Sequence, residues 1–263
     1  VENGVSERLM PRQRLLLGLG GIATFFVLWT LAAASGLTPE AFLPTPVKVW
    51  NEFWRLTREP FVGYTLQQHL LSSFARMGMG FGLAVLIGVP LGLMLGWFRS
   101  LDYVVSPIFD ALRFVAPIAW VPFAALWFGT GIGGPVLVIF TGAFPPCVIN
   151  TYRGARYVEP QFIEAARTLG VGHRRMILEV LLPASVPSIV AGLRVSAGLA
   201  WQSLVGAELI VASSGIGYLL VKGQASISTP IVMSGMIAIG VVGFAIDVAL
   251  QAFERWIRGR RGR

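Results

Sequence analysis

The sequence predicts an all-α, polytopic membrane protein with six transmembrane helices. Composition is the first ground. Of 263 residues, 55% are hydrophobic and only 13% are charged, with a mean hydropathy of +0.70. A soluble domain carries roughly 25% charged residues. The second ground is a series of long apolar runs, since about 20 apolar residues let a helix cross the hydrocarbon core. The third is the lack of alternation at every second residue, which a transmembrane β-barrel requires. Lipid offers no hydrogen-bond partners to open backbone, so such runs fold as helices.

The spans are expected at 15–34, 72–98, 103–128, 135–150, 187–211 and 230–253. The first run exceeds the apolar core of about 7–15 residues in a signal peptide. It reads as a span that stays, with no cleavable leader. The second is most apolar after Phe81. Gly88, Gly92 and Gly96 recur at spacing four within it, as do Gly78 and Gly82. Small residues at that spacing let another helix approach closely. Gly192, Ser196 and Ala200 repeat the pattern in the fifth span. Such grooves serve packing inside the subunit or contact between subunits. Pro90, Pro117, Pro122, Pro145 and Pro146 are expected to kink or break their helices. Bent spans often line a pathway. Phe42, Trp50 and Trp54, ahead of the second span, suit a membrane interface.

Sidedness follows from the basic residues. The chain has 19 Arg, 2 Lys and a net charge of +8. That excess is clustered between long uncharged tracts, which reports topology and not nucleic-acid binding. One set of segments holds 14 basic residues: the N-terminus, Arg99, the 153–186 loop and the C-terminus. The opposite side holds 4, namely Lys48, Arg55, Arg58 and Lys222. Arg76, Arg113 and Arg194 lie within or near the ends of spans. The positive-inside rule then puts both termini and the 153–186 loop in the cytoplasm, as an even number of spans demands. Residues 1–14 are expected to form a cytoplasmic segment and 15–263 a single transmembrane domain. The one cysteine, Cys147, lies in an apolar tract and reads as a small buried hydrophobe.

The 153–186 loop is the longest on its side, and its residues are ordered in character. It contains Glu159-Pro160-Gln161-Phe162-Ile163-Glu164-Ala165-Ala166-Arg167-Thr168-Leu169-Gly170-Val171-Gly172. Pro160 suits a first helical turn and Gly170 a stop. Phe162, Ala165, Ala166 and Leu169 are assigned to one face of a short amphipathic helix. A second short helix is expected over 173–182, ending at Pro183.

Glu164-Ala165-Ala166, then Gly170, then Val180-Leu181-Leu182-Pro183 resembles the EAA signature loop of binding-protein-dependent ABC importer permeases. Val180 stands where that signature usually has Ile. The likeness runs from about residue 43 to 250. It is nearest to the subfamily for aliphatic sulfonates, taurine, nitrate or bicarbonate, which has pyrimidine-precursor relatives. Leu43-Pro44-Thr45-Pro46, Ala119-Trp120-Val121-Pro122, Leu126-Trp127-Phe128-Gly129, Gly192-Leu193-Arg194, Gly198-Leu199-Ala200-Trp201, Ala207-Glu208 and Gly215-Ile216-Gly217-Tyr218 carry it.

The resemblance implies a type I importer permease in a bacterial inner membrane. Two permease subunits, by default two copies of this chain, would form the pore. Two separate ATPase subunits would hold ATP and Mg. A periplasmic or lipoprotein binding protein would deliver the solute. Glu164, Ala165, Ala166, Gly170, Leu182 and Pro183 are then the residues expected to couple the loop to the ATPase. An amphipathic helix seats in a partner's groove, the two alanines permit close approach, and Glu164 can pair with a base. Trp120, Arg194, Trp201 and Glu208 are the candidates for the pathway.

No cofactor site is expected in this chain. The Walker A pattern needs a lysine that neither Lys48 nor Lys222 supplies. Gly18-x-Gly20-x-x-Ala23 lies inside an apolar span without a preceding strand, so it is no dinucleotide site. His69 and His173 form no H-E-x-x-H, and no G-x-S-x-G elbow occurs. Asp110 and Arg113, three apart, are placed to pair on one helix face, and Asp247 is an acid inside the sixth span. The main rival is a secondary transporter driven by an ion gradient, which leaves the EAA loop unexplained. An intramembrane enzyme lacks a catalytic pair, and an exporter subunit lacks its fused ATPase or long cytoplasmic helices. An anionic solute is favoured by the arginines in or near spans.

Overall fold

The computed structural model describes residues 11–36, 39, 41–129 and 131–261. Most of the expected N-terminal segment, residues 1–10 with Arg8, lies outside them. The elements are α1 (Pro11–Ala34), α2 (Pro46–Arg58), α3 (Leu66–Trp97), α4 (Arg99–Leu112), a 3₁₀ turn (Pro117–Trp120), α5 (Val121–Phe128), α6 (Gly133–Arg156) and α7 (Pro160–Thr168). There follow α8 (His173–Arg175), a π-helical turn (Met176–Leu181), α9 (Leu182–Val211), α10 (Ile216–Ala225) and α11 (Thr229–Arg261). Among the described residues no strand forms beyond the bridge between Phe61 and Tyr64.

Among the described residues, five helical segments are long and apolar enough to cross a membrane: Leu16–Ala34, Leu66–Trp97, Gly133–Arg156, His173–Val211 and Thr229–Ile257. A sixth crossing is made only if α4 and the segment Pro117–Phe128, bent by 86° to each other, count as one span. The span expected at 103–128 is corrected in its start, to Arg99, and is broken before Pro117, where the sequence predicts a kink or break. Pro117 opens the second piece, and a proline restrains the residue before it from helical geometry. A second correction concerns Pro183, which does not end a helix. His173–Val211 is one rod. A proline ring clashes with the carbonyl four residues back, and here the wider π-helical turn ends two residues before it.

The centre of the bundle is α6, flanked along its length by α3 and α9. On α3 the small residues Gly80, Gly88, Gly92 and Gly96 face Ile139, Cys147, Thr151 and Ala155 of α6, each also spaced in fours. A Cβ at Gly92 would lie 2.7 Å from the Thr151 Cβ, and one at Gly96 2.5 Å from the Ala155 Cβ. Only hydrogen fits there. The second expected groove is not used in this way, because Gly78 and Gly82 have nothing within 4 Å. On α9, Gly192 abuts Asn150 and the Ser196 hydroxyl donates to the Ala143 carbonyl at 2.7 Å. Both small-residue seams therefore pack inside the subunit.

The EAA segment defines a loop end of the bundle. The opposite end is sealed by Leu56, Leu66, Ile216, Leu219, Ile231 and Ala238, drawn from α2, α3, α10 and α11. The α2 helix is amphipathic. Thr45 caps its first turn, Pro46 takes the first position, and Val49 and Leu56 face inward. Trp50 and Trp54 remain exposed on it, as does Phe42 just before it, which suits side chains at a membrane interface. The first span is peripheral. None of its apolar window is buried, and the Trp29 indole N–H reaches the Pro44 carbonyl at 3.1 Å.

Candidate coupling loop and translocation face

The α7 helix starts at Pro160, which needs no amide acceptor in the first turn, and it ends in a Schellman motif. The Gly170 N–H donates to the Arg167 carbonyl at 2.9 Å, and the Val171 N–H to the Ala166 carbonyl at 3.1 Å. Gly170 has φ +72°, a conformation that costs other residues about 1–2 kcal/mol. The chain there turns back toward the bundle.

The apolar side chains of α7 share one face, as i, i+3, i+4 and i+7 positions of a helix do, but they are covered unequally. Ala166 is buried against its own subunit, whereas Phe162 is 54% exposed and Leu169 81% exposed. Ala165 is exposed beside them, and Glu164 is exposed on the other side of the helix. Ala166 holds α7 against the π-helical turn, and the exposed residues of that face form a patch of an aromatic, an alanine and a leucine, with the Glu164 carboxylate on the helix's other side. Among the described residues Glu164 makes no ion pair. Leu182 packs against the small core of Leu93, Ala155, Leu181 and Ile189. Pro183 borders an open groove of about 720 Å³, which Phe162 and Ala165 line from α7 and Arg153, Glu179 and Ser188 from the bundle. The sequence-assigned loop residues thus lie together at one end, four on the helix and its stop, two at the foot of the rod.

The four candidates for the pathway are dispersed. Trp120 ends the 3₁₀ turn and borders a cavity of about 170 Å³ with Phe109, Arg113, Phe140, Thr141 and Phe144. Arg194 on α9 grips Asp247 on α11, Nε to Oδ1 at 2.8 Å, and its Nη1 lies 3.7 Å from Glu254. Trp201, on the same two helices' seam, donates its indole N–H to the Ile239 carbonyl at 3.1 Å. Arg194, Trp201, Gln202 and Asp247 border a cavity of about 160 Å³.

Glu208 is 1% exposed, and its partners lie far away in sequence. Arg76 on α3 approaches its Oε1 at 2.7 Å, and the Ser73 hydroxyl lies 2.8 Å from Oε2. The Gly217 N–H donates to Oε2 at 3.1 Å. Arg76 also donates from Nη1 and Nη2 to the carbonyl and hydroxyl of Ser214. His69 completes the cluster. Its Nδ1 accepts the Gly215 N–H at 3.1 Å and its Nε2 lies 3.2 Å from the Phe61 carbonyl, a pattern that suits the neutral ring with hydrogen on Nε2. The network pins the turn between α9 and α10 onto α3. Sequence reasoning placed Arg76 in a span but had no signal for its partner, 132 residues away. Ser73 and His69 were legible only as residues one and two helical turns before it.

Comparison with known proteins agrees with this architecture. The profile of the family described as "Binding-protein-dependent transport system inner membrane component" matches residues 88–260. The taurine transport system permease protein TauC of Escherichia coli (strain K12) is 31% identical over 244 residues, covering 92% of this chain and 89% of that protein. The bicarbonate transport system permease protein CmpB of Synechococcus elongatus is 33% identical over 265 residues, covering 97% and 94%. A chain of the MetNI methionine ABC transporter, in an inward-facing conformation, superposes with a TM-score of 0.65 at 18% identity, covering 73% of this chain and 95% of that chain. At that identity the superposition speaks for the fold alone, that of an ABC importer permease. The chain belongs to the family of inner-membrane permease components of binding-protein-dependent ABC transport systems.

Proposed function

We propose that two copies of this chain form the pore of an ATP-driven importer for a small anion. Two separate ATPase subunits hold ATP and Mg and carry out hydrolysis, so this subunit catalyses nothing and binds no cofactor. An extracytoplasmic binding protein delivers the solute. The loop end and both chain termini face the cytoplasm. The observation that carries the reading is α7, where Phe162, Ala165 and Leu169 stand exposed on one face and Glu164 is exposed on the other side. An amphipathic helix with apolar side chains left exposed is built to seat in a groove. Glu164, Ala165, Ala166, Gly170, Leu182 and Pro183 form this coupling unit: two outward residues, one inward anchor, the stop, and the junction with the α9 rod. Closure of the ATPase pair then rocks the spans as rigid bodies.

Trp120, Arg194 and Trp201 border cavities on the spans and are placed along the pathway. Glu208 is placed behind its wall, where its ion pair holds α3 and α9 together. The taurine and bicarbonate relatives support a small anion as cargo. The test is co-expression with the ATPase and binding-protein genes adjacent to this one, purification in nanodiscs, and ATPase assays against taurine, alkanesulfonates, nitrate, bicarbonate and pyrimidine precursors. A stable complex stimulated by one anion supports the reading. Stimulation by a pyrimidine precursor alone keeps the importer and changes its cargo. No ATPase association, with uptake that follows an ion gradient in liposomes, replaces it with a secondary transporter.

A further inference from the structure

We infer that Arg113, at the break between α4 and the 3₁₀ turn, is the anion contact of the pathway and engages a small oxyanion through its terminal nitrogens. The inference rests on the transport reading above and names the residue that would hold the cargo. It starts from the backbone. Residues 113–116 form no helix, and all four are exposed in the single chain. The α4 helix has 14 residues, so the break lies up to about 21 Å from the loop end at 1.5 Å per residue, within a core about 30 Å thick. Open backbone at membrane depth does not face lipid. It is buried in protein or lines water. Here the N–H groups of Phe114 and Ala116 find no acceptor among the described residues.

Side-chain chemistry separates Arg113 from the other two arginines of the spans. Arg76 is buried, with both terminal nitrogens engaged. Arg194 is held across two helices by Asp247 and Glu254. Arg113 is paired only with its own helix, Nε to the Asp110 Oδ1 at 2.8 Å, and lies 4.8 Å from the centre of the Phe114 ring. No hydrogen bond engages its Nη1 or Nη2 among the described residues. The guanidinium stays about one-third accessible. A fork with two free nitrogens matches two oxygens of a carboxylate, sulfonate or nitrate.

The surroundings fit a passing ligand. A polar cavity of about 230 Å³ lies toward the loop end, bordered by Asp102, Ser106, Tyr152 and Arg153. The aromatic cavity that includes Trp120 lies on the other side. Arg113 and Phe109 border both. Asp110 keeps the resting site close to neutral, so an anion competes with it and is held weakly, as passage requires.

The test needs neither the ATPase nor the cargo. Val115→Cys is introduced into the full chain carrying Cys147→Ala, in nanodiscs, and reacted with an anionic and a cationic methanethiosulfonate of similar size. Water at the break makes this thiol reactive, while Phe25→Cys on α1 stays unreactive. Arg113 is expected to favour the anionic reagent by about tenfold. Arg113→Gln should erase that preference and Arg113→Lys retain most of it. An unreactive Val115→Cys would place the break against protein and overturn the site. A reactive thiol with the same preference in Arg113→Gln would overturn the role of Arg113. Because no ATPase enters the assay, either result stands apart from failure of the importer reading, which shows as absent ATPase association.

Discussion

At the scale of single residues, the tightest constraints are on glycines that a sequence can list but not rank. Gly96 and Gly82 share the same helix. Only Gly96 meets a neighbouring backbone and side chain, and Gly82 faces open space. Gly96→Ala is therefore expected to destabilise the folded chain by about 1–3 kcal/mol, the usual cost of overpacking, and Gly82→Ala to leave it unchanged. Thermal unfolding in detergent measures both. Ala155→Gly added to Gly96→Ala should recover only part of the loss, because it removes the opposing methyl group but leaves the Tyr152 carbonyl 2.9 Å from the new Cβ. Equal effects at both glycines would deny the seam. The buried pair gives a second residue-scale test. Arg76→Met alone leaves the Glu208 carboxylate enclosed without its counter-charge, and removal of one partner of such a pair costs about 3–5 kcal/mol. The double variant Arg76→Met, Glu208→Met should be more stable than the single one. If the two unfold alike, the pair is not what holds the turn after α9 to α3.

At the scale of elements, the sequence showed where helices lie better than how they end. The EAA segment was legible because its proline, its glycine stop and its apolar residues fall within a dozen positions, all local signals. The bend of 86° between α4 and the segment after it was not. Pro117 marks a break, but its angle depends on packing against α6, which no local pattern encodes. The α2 helix was missed although Thr45, Pro46 and the inward Val49 and Leu56 announce it; a short amphipathic helix is overshadowed by the long apolar runs beside it. The shared face of α7 was legible, but which of its residues the subunit covers was not. Phe162, Ala165, Ala166 and Leu169 fall on one stripe of the helix, and only the subunit's own packing decides that Ala166 is taken and the others are left exposed. The division makes a prediction. Leu169→Asp, on the uncovered face, should reduce co-purification of the ATPase by at least about tenfold, the scale of a lost interface anchor, with unfolding in detergent unchanged. Ala166→Leu should lower thermal stability first, since it presses on the π-helical turn. Normal ATPase association in Leu169→Asp would show that α7 is not the docking element.

At the scale of the whole molecule, charge and shape tell the same story by independent routes. The bundle carries Arg99, Arg153, Arg156 and the arginines of the EAA loop at one end, and Arg55, Arg58 and Lys222 at the other. This asymmetry is an insertion signal. The free face of α7 lies at the basic end, so one orientation satisfies both the signal and the need to reach a cytoplasmic ATPase. The sole cysteine, Cys147, is buried at the α3–α6 seam, which allows the orientation to be read by thiol labelling. In a Cys147→Ala background, Leu169→Cys reports the loop end and Ile227→Cys the opposite end; both native side chains are more than 80% exposed. With a membrane-impermeant maleimide on intact cells, Ile227→Cys is expected to label and Leu169→Cys to label only after the membrane is opened. The reversed pattern would put α7 outside the cell, where no ATP is available to drive it, and would remove the physical basis for coupling. Labelling of both from outside would mean that α9, the one apolar rod between the two positions, does not cross the membrane, and would overturn the assignment of His173–Val211 as a span.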